Sequence, residues 1–279
     1  MKLFWLVALT MTAFASNSIL NRQAMVLEGV GPSSYAAIRL LAGALLLALL
    51  IALRTGPKPQ FTRHAFWSAG TLTLYALAFS YAYITIPTGA GALILFGAVQ
   101  VISFGSTLSK GQKIGALSWI GALLAFAGLC YLLWPGESAV LDKVGVALML
   151  LSALGWTLFT IAGKQGSDPL GATTLAFVLA ATIGILFWLI LPDKINLRGA
   201  LLAILSGAVT SGMGYALWYK VLPELSLPTA SVAQLTVPVI AAFGGAVLLG
   251  ETLTLRFGIA TCLVLSGVWL TIFAQRKSR

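Results

Sequence analysis

Long apolar runs, separated by short polar connections, dominate this chain. The run LLAGALLLALLIAL (40–53), for example, is followed at once by RTGPKPQFTRH (54–64). A transmembrane helix needs about 20 mainly apolar residues to cross the hydrocarbon core. Because these runs are apolar throughout and do not alternate with polar residues, they predict helices and exclude a membrane β-barrel. Ten such segments occur, at residues 3–21, 35–53, 65–84, 88–108, 114–134, 144–163, 170–191, 199–219, 228–249 and 256–274.

The composition excludes most other classes of protein. Of the 279 residues, 59% are hydrophobic and only 9% are charged, whereas a soluble domain is about 25% charged. The mean hydropathy is +0.98. Ten spans use roughly 200 residues and leave about 79 for loops and tails, which is too few for a soluble catalytic module. We therefore expect an all-α integral membrane protein with ten transmembrane helices.

The basic residues predict the orientation of the chain. The net charge is +10, but Lys and Arg occur in ones and twos between apolar runs, without the stripe that nucleic acid requires. In membrane proteins the cytoplasmic loops carry the excess of Lys and Arg. One side holds five of them: Arg22, Lys143, Lys194, Arg198 and Arg256. The other side holds eleven, and we expect it, with both termini, in the cytoplasm: Lys2, Arg54, Lys58, Arg63, Lys110, Lys113, Lys164, Lys220, Arg276, Lys277 and Arg279.

A second interpretation of the N-terminus stays open. Lys2, the apolar run 3–12 and Ala13-Phe14-Ala15 also resemble a secretory signal with its cleavage site. Cleavage would leave nine spans and place the new N-terminus outside. It would also remove the segment that pairs with the sixth span in the repeat described next.

Four short stretches of the first half recur in the second half at a separation of 139 to 141 residues. They are Tyr75-Ala76-Leu77 with Tyr215-Ala216-Leu217, Pro87-Thr88 with Pro228-Thr229, Gly111-Gln112 with Gly250-Glu251, and 121–128 with 260–267. The pattern predicts a five-helix repeat at 1–136, a second at 143–274, and a basic tail at 275–279. Since five is odd, the second copy enters the membrane in the opposite sense. Inverted repeats are typical of secondary transporters with a central cavity between the halves.

Two segments carry a family resemblance. The second span reads Tyr35-Ala-Ala-Ile-Arg39-Leu, and the turn before the tenth reads Leu249-Gly250-Glu251-Thr-Leu-Thr. With the glycine patterns of 121–128 and 260–267, these residues resemble the EamA-type drug/metabolite transporter superfamily over essentially the whole chain. The resemblance implies ten helices in two halves and transport of small metabolites across a bacterial inner membrane. We expect the chain to be similar to the YddG-like branch, which exports aromatic and other amino acids.

Helix breakers at matching depths predict where the site lies. With an offset of 141, Gly97 of the fourth span aligns with Pro238 of the ninth, each near the bilayer centre. Such pairs indicate a transporter site, although small residues also serve close helix packing. Gln100 and Gln234 lie in the same spans and Asn17 in the first. Polar groups at this depth tend to face the interior, either for binding or for hydrogen bonds between helices.

Aromatic residues form the second group of candidates. Tyr75 and Phe79 share one helix face at i, i+4, and Tyr215 and Trp218 share another at i, i+3. Trp156 lies deep in its span, and an aromatic cavity with few polar groups suits organic metabolites. The alternative is an interfacial aromatic belt. The candidate substrate-binding residues are Asn17, Tyr75, Phe79, Phe96, Gly97, Gln100, Trp156, Tyr215, Trp218, Gln234 and Pro238.

The remaining chemistry-bearing residues are few. Arg39 is the only charge within a span, and we expect it to extend to the headgroups, with a substrate carboxylate or an internal partner as the alternatives. Glu251 is expected to cap the tenth span. All seven acidic residues fall in loops or at span ends, so no proton relay is expected within the membrane. Cys130 and Cys262 are expected to be buried thiols.

These features favour a secondary transporter for small organic metabolites, with amino acids as the expected cargo and export as the expected direction. The alternatives are an exporter of drugs or cationic compounds, and a channel or scaffold. An intramembrane enzyme is not expected, because the single histidine, His64, lies in a loop. Neither a phosphate-binding loop nor a dinucleotide fingerprint occurs, so no cofactor and no metal is expected. The expected partners are the small-molecule substrate and the lipid bilayer, and a monomer suffices.

Overall fold

A computed structural model describes residues 2–55, 59, 62–109, 115–134, 141–163, 168–221, 224, 233–234 and 236–277. All regular secondary structure within these residues is helical. The helices are α1 (Lys2–Val26), α2 (Pro32–Leu53), α3 (Arg63–Ala82), α4 (Thr88–Ser109), α5 (Ala116–Leu133), α6 (Lys143–Gly163), α7 (Pro169–Ile190), α8 (Leu197–Leu205), the π-helical segment Ser206–Met213, α9 (Gly214–Val221), α10 (Thr236–Leu249) and α11 (Leu255–Lys277).

The helices overlap the predicted apolar segments. The eighth segment, 199–219, corresponds to α8, the π-helical segment and α9 in succession. The start of the ninth, 228–232, lies outside the described residues, as do Pro228-Thr229 and Gly111-Gln112 of the repeat. Within the part of the chain that is described, six helices are long and apolar enough to cross a membrane, and three shorter helices are also apolar.

The outer surface of the bundle is apolar. Large side chains such as Leu45, Phe66, Leu123 and Phe243 are each at least 60% exposed. The interior, in contrast, holds many serines and threonines, of which Ser206 is fully buried. An apolar exterior around an interior that also buries hydroxyl groups fits a chain whose solvent is hydrocarbon and whose helices associate through small and polar residues.

Short polar side chains and prolines determine where several helices begin. Pro32 and Pro169 occupy the first positions of α2 and α7, where the missing proline N–H loses no helical hydrogen bond. The carboxylate of Asp168 accepts a hydrogen bond from Gly171 N over 3.1 Å. The sequence is consistent with both helix starts, because each proline directly follows a polar or glycine-containing connection between apolar runs.

Glycines allow several pairs of helices to approach backbone to backbone. Helix α2 packs along α7, α3 along α6, and α5 along α11. A Cβ atom on Gly155 of α6 would lie 2.7 Å from Tyr75 N of α3. A Cβ on Gly267 of α11 would collide with the backbone of Ala125 in α5. These crossings hold the helices at distances that larger residues would prevent.

Cys130 and Cys262 are both free and exposed, so the expectation that they are buried is wrong. The reason lies in the crossing of α5 and α11. Gly128, two residues before Cys130, faces Leu263 and Val264 of α11, which turns Cys130 toward the outer surface.

Ion pairs and caps lie at both ends of the bundle. The first face, at which α1 begins, carries the ion pair between Arg54 and Asp168. The second face, at which α1 ends, carries Arg22, Asp193 and Glu251. There the carboxylate of Asp193 accepts hydrogen bonds from the backbone N–H groups that start α2. Helix α2 is therefore joined to the α7 region at both of its ends.

We expect Asp168→Asn to lower the melting temperature of the purified protein in detergent by about 1–3 °C at pH 7. The variant loses the ion pair with Arg54, whose two hydrogen bonds to Asp168 are 2.7 and 2.6 Å long. Asparagine still caps α7. Hydrogen bonding to Arg54 lowers the pKa of Asp168 below its ordinary value of 3.8. The pair therefore stabilises the fold above that pH and ceases to do so as Asp168 is protonated below it. Wild type and variant should converge as the pH falls below 3.8 and through the lowered pKa of Asp168, and a difference that grows on acidification would contradict the assignment.

Candidate functional site

Five helices surround a small closed hollow near the middle of the bundle. Its volume is about 20 Å³, enough for roughly one water molecule. Helices α1, α3, α4, α6 and α9 contribute its walls. The residues that line it are Phe14, Asn17, Ser18, Tyr75, Phe79, Leu95, Phe96, Trp156 and Tyr215.

Trp156 is the centre of a cluster of aromatic rings that fills most of this space. Its ring centroid lies 5.0 Å from that of Tyr75, 5.5 Å from Tyr215 and 6.5 Å from Phe14. The Tyr75 and Phe79 rings are 5.3 Å apart, as expected for residues at i and i+4 on one helix face. The hollow is small because the rings pack against one another across it.

Six of the eleven residues predicted as substrate-binding line the hollow. They are Asn17, Tyr75, Phe79, Phe96, Trp156 and Tyr215. Trp218 lies one ring further away, with its centroid 6.1 Å from that of Phe14. Tyr75, Phe79, Tyr215 and Trp218 are buried, and Phe96 and Trp156 are half-buried.

The other four predicted residues lie elsewhere. Gly97 faces α5, since a Cβ there would approach Leu129 to 2.9 Å, so this glycine serves helix packing. Pro238 is buried in α10, and the structure does not place it at the hollow. Gln100 and Gln234 are half-buried and also stand apart from the lining residues. An equal depth in two spans does not specify which side of each helix faces the centre.

Sequence reasoning missed Phe14, Ser18 and Leu95 as lining residues. A signal for the first two was present, because Phe14, Asn17 and Ser18 follow i, i+3, i+4 and share one face of α1. Leu95 adjoins Phe96, but no pattern distinguishes it from the other aliphatic residues of α4.

A cluster of hydroxyl groups lies beside the hollow on the π-helical segment. Ser206 donates to Asn17 Oδ1 over 2.9 Å, and Ser211 does so over 3.3 Å. Thr210 donates to the same oxygen. In a π-helix the i→i+5 hydrogen bonds bring residues five apart onto one face, and such segments are frequent at functional sites. The wide turn of 206–213 thus directs three hydroxyls at Asn17.

Arg39 lies in the interior of the bundle, so the expectation that it extends to the headgroups is wrong. It is 2% exposed. Its Nη2 donates to the Tyr75 hydroxyl over 3.0 Å, and its Nε donates to Ser211 Oγ over 3.3 Å. The guanidinium carbon also lies 5.1 Å from the centre of the Phe79 ring. The reason for its direction is the backbone contact between Arg39 and Gly207, which brings the π-helical segment within reach of the side chain.

The second face is closed above the hollow by a set of charged contacts. Arg22 Nε donates to Glu251 Oε1 over 3.2 Å, and its Nη1 donates to the carbonyls of Tyr83 and Ile84. Glu251 Oε2 accepts from Thr88 N over 2.8 Å. The carboxylate therefore caps the start of α4 and not α11, which corrects the expectation for Glu251. These contacts join α1, the α3–α4 turn and the α10–α11 turn.

Other parts of the described chain offer no second site of comparable chemistry. Within it, no group of three or more His, Cys, Asp or Glu side chains lies close enough to hold a metal ion. A groove of about 650 Å³ lies between α5, α10 and α11. It is lined almost entirely by apolar side chains, among them the half-exposed Val239 and Trp269.

We expect Glu251→Gln to increase access of water-soluble reagents to the hollow. The test uses Ser18→Cys in a chain whose Cys130 and Cys262 are replaced by serine. In detergent, the rate of labelling by a hydrophilic thiol reagent should rise about fivefold, the factor for about 1 kcal/mol of lost ion pairing.

The matched control for this labelling experiment is Arg256→Gln. Arg256 also bonds backbone carbonyls on the second face, those of Tyr131 and Trp134, but these lie at the C-terminal end of α5, which does not line the hollow. Equal labelling rates in Glu251→Gln and Arg256→Gln would contradict a closing role for Glu251.

Known proteins resemble the chain along nearly its whole length. A family model described as the EamA-like transporter family matches residues 143–273. An uncharacterised protein of Pseudomonas aeruginosa is 45% identical over 276 residues, covering 98% of this chain and 95% of the relative. The aromatic amino acid exporter YddG of Escherichia coli is 24% identical and covers 90% of this chain and 91% of its own. The threonine/homoserine exporter RhtA of Salmonella typhimurium is 29% identical, with 87% and 83% covered.

A solved crystal structure of a protein 16% identical in sequence has a similar fold, with a TM-score of 0.70 over 95% of this chain and 97% of that one. Its likeness concerns the fold alone. Together with the family model and the full-length relatives, the helical bundle and its apolar exterior lead to one assignment. The chain belongs to the EamA-like transporter family.

Proposed function

We propose that this protein exports amino acids or similar small metabolites across the bacterial inner membrane by alternating access, and that the aromatic hollow is its substrate site. One observation carries the proposal: a closed hollow in the middle of the bundle, lined by rings from five helices and by the amide of Asn17. Aromatic walls with few polar groups fit small organic molecules. The relatives named as exporters of aromatic amino acids and of threonine and homoserine support this class of cargo.

The proposed architecture is ten membrane-spanning helices in two inverted repeats, 1–136 and 143–274. The helix contacts support it. In such a repeat, spans one to five correspond in order to spans six to ten. Each contact between two spans should then recur between the two corresponding spans. Contacts of α1 with α10 correspond to those of α6 with α4, and contacts of α2 with the π-helical segment correspond to those of α7 with α3. The pairs α2–α7 and α5–α11 correspond to themselves.

The proposed orientation places the first face in the cytoplasm. The sequence predicts eleven of the Lys and Arg residues on the side where α1 begins, against five on the opposite side. The contacts of Arg22 and Glu251 then close the side away from the cytoplasm. In this arrangement a substrate enters from the cytoplasm once the aromatic rings separate, and leaves after the second face opens.

We expect Trp156→Ala to reduce transport strongly, because its ring contacts Tyr75, Tyr215 and Phe14 in the hollow. Tryptophan, phenylalanine and threonine would be tested for efflux and counterflow in proteoliposomes. The kcat/KM for the best substrate should fall about tenfold or more, since aromatic burial and ring contacts contribute a few kcal/mol.

Trp67→Ala provides the control for Trp156→Ala, because Trp67 is 57% exposed on the outside of α3. It should transport like the wild type at equal reconstituted amounts. Normal transport by Trp156→Ala would exclude the hollow as the site. Flux without saturation or counterflow would indicate a channel and not a carrier.

We expect transport to follow the substrate gradient and to be insensitive to a proton gradient. The described acidic residues all lie at helix ends or in connections: Glu28, Asp142, Asp168, Asp193, Glu224 and Glu251. A proton-coupled carrier ordinarily places an ionisable group along the pathway. Uptake into proteoliposomes would be measured with and without a pH difference across the membrane, and a several-fold stimulation by that difference would contradict the expectation.

A further inference from the structure

The charge of Arg39 has no counterpart among the described residues. The ion pairs there, Arg22–Glu251 and Arg54–Asp168, lie at the two faces. Arg39 itself has two hydroxyl partners, and its Nη1 has no hydrogen-bond partner although it is buried. Hydroxyl groups accept hydrogen bonds but do not neutralise a cation.

A purely structural role does not explain why this residue carries a charge. Two donors reaching Tyr75 and Ser211 would suffice to join α2, α3 and the π-helical segment, and a neutral amide side chain supplies two donors. A buried guanidinium adds a desolvation penalty that only an anionic partner offsets well. Ionisable groups retained inside membrane proteins accordingly mark substrate pathways.

The position of Arg39 beside the hollow indicates what that anion is. Its guanidinium carbon lies 5.2 Å from the centre of the Tyr75 ring and 5.1 Å from that of Phe79. Both rings line the hollow. A molecule that enters the hollow and moves either ring aside therefore meets the guanidinium next. An arginine fork also matches a carboxylate in a two-pronged geometry.

Resting on the proposed transport function, we propose that Arg39 binds the carboxylate of the transported molecule while the aromatic rings hold its apolar part. The substrates are then small carboxylates with an apolar or aromatic body. Cations without a carboxylate are poor substrates, in contrast to the alternative of a cationic-compound exporter. The lining residues include no carboxylate that could pair with an ammonium group, so we expect the carboxylate of an amino acid to contribute more to binding than its amino group.

Three indole compounds of similar shape test this selectivity on the wild-type protein. Tryptophan carries both charged groups, indole-3-propionate only the carboxylate, and tryptamine only the ammonium. Stabilisation in detergent and competition with transport of the best amino acid would be measured for each. We expect tryptophan and indole-3-propionate to agree within about threefold and tryptamine to bind at least about tenfold more weakly. Equal or stronger binding of tryptamine would overturn the role of Arg39.

Arg39→Gln provides the second measurement, with Arg54→Gln as its matched control. Both remove a guanidinium, but Arg54 lies at the first face, paired with Asp168. In Arg39→Gln, affinity for the two carboxylates should fall at least about tenfold while that for tryptamine stays the same or rises. Arg54→Gln should keep the wild-type order. If Arg39→Gln does not fold, the wild-type series still decides the question.

The outcomes separate the two proposals. If the wild-type protein neither transports nor binds tryptophan, phenylalanine, threonine or indole-3-propionate, the proposed function is contradicted. The proposed role of Arg39 is then contradicted too, because it rests on that function. Two results contradict the role of Arg39 alone. In the first, the wild-type protein transports tryptophan but binds tryptamine as tightly as tryptophan. In the second, the Arg39→Gln variant has an unchanged KM for tryptophan.

Discussion

The close approach of the helices around Arg39 is the feature on which the site depends. Hydrocarbon outside the bundle offers no hydrogen bonds, so polar groups at this depth must find partners within the protein. Gly207 and Gly43 bring the π-helical segment against α2, and Ser211 of that segment then accepts a hydrogen bond from Arg39 Nε. A side chain at either glycine would separate these elements and leave the polar groups without partners.

The rings that fill the proposed substrate site are the same rings that are proposed to bind the substrate. Ring pairs such as Trp156–Tyr75 and Trp156–Tyr215 contribute about 0.5–1.5 kcal/mol each beyond their burial. A bound aromatic or aliphatic group would replace these contacts with similar ones. The empty and occupied states can therefore lie close in free energy, which a carrier requires if it is to return after releasing its substrate.

The sequence predicts the helices well because lipid imposes a simple rule on length and polarity. It also predicts the shared faces of Tyr75 with Phe79, because that spacing is local. It does not predict the π-helical turn at 206–213, which depends on tertiary contacts with Asn17 and Arg39. For a related reason it does not predict that Gly97 faces α5, since depth in a span leaves the direction of the helix face undetermined. Likewise, the depth of Arg39 suggested the headgroups, whereas the contact with Gly207 directs it inward.

In the proposed repeat, the two halves differ in the residues that form the ion pair of the second face, and this difference bears on the proposed direction of transport. Glu251 corresponds by the repeat to Gln112, and Arg22 corresponds to the uncharged residues 161–163. Equivalent positions of the first face therefore lack this ion pair. The Arg54–Asp168 pair of the first face joins α2 to the start of α7, and neither of these helices lines the hollow. The Arg22–Glu251 pair stabilises the state in which the second face is closed, and so shifts the conformational equilibrium toward opening on the first face. If the first face is cytoplasmic, the resting carrier favours loading from inside, which is the bias that an exporter needs.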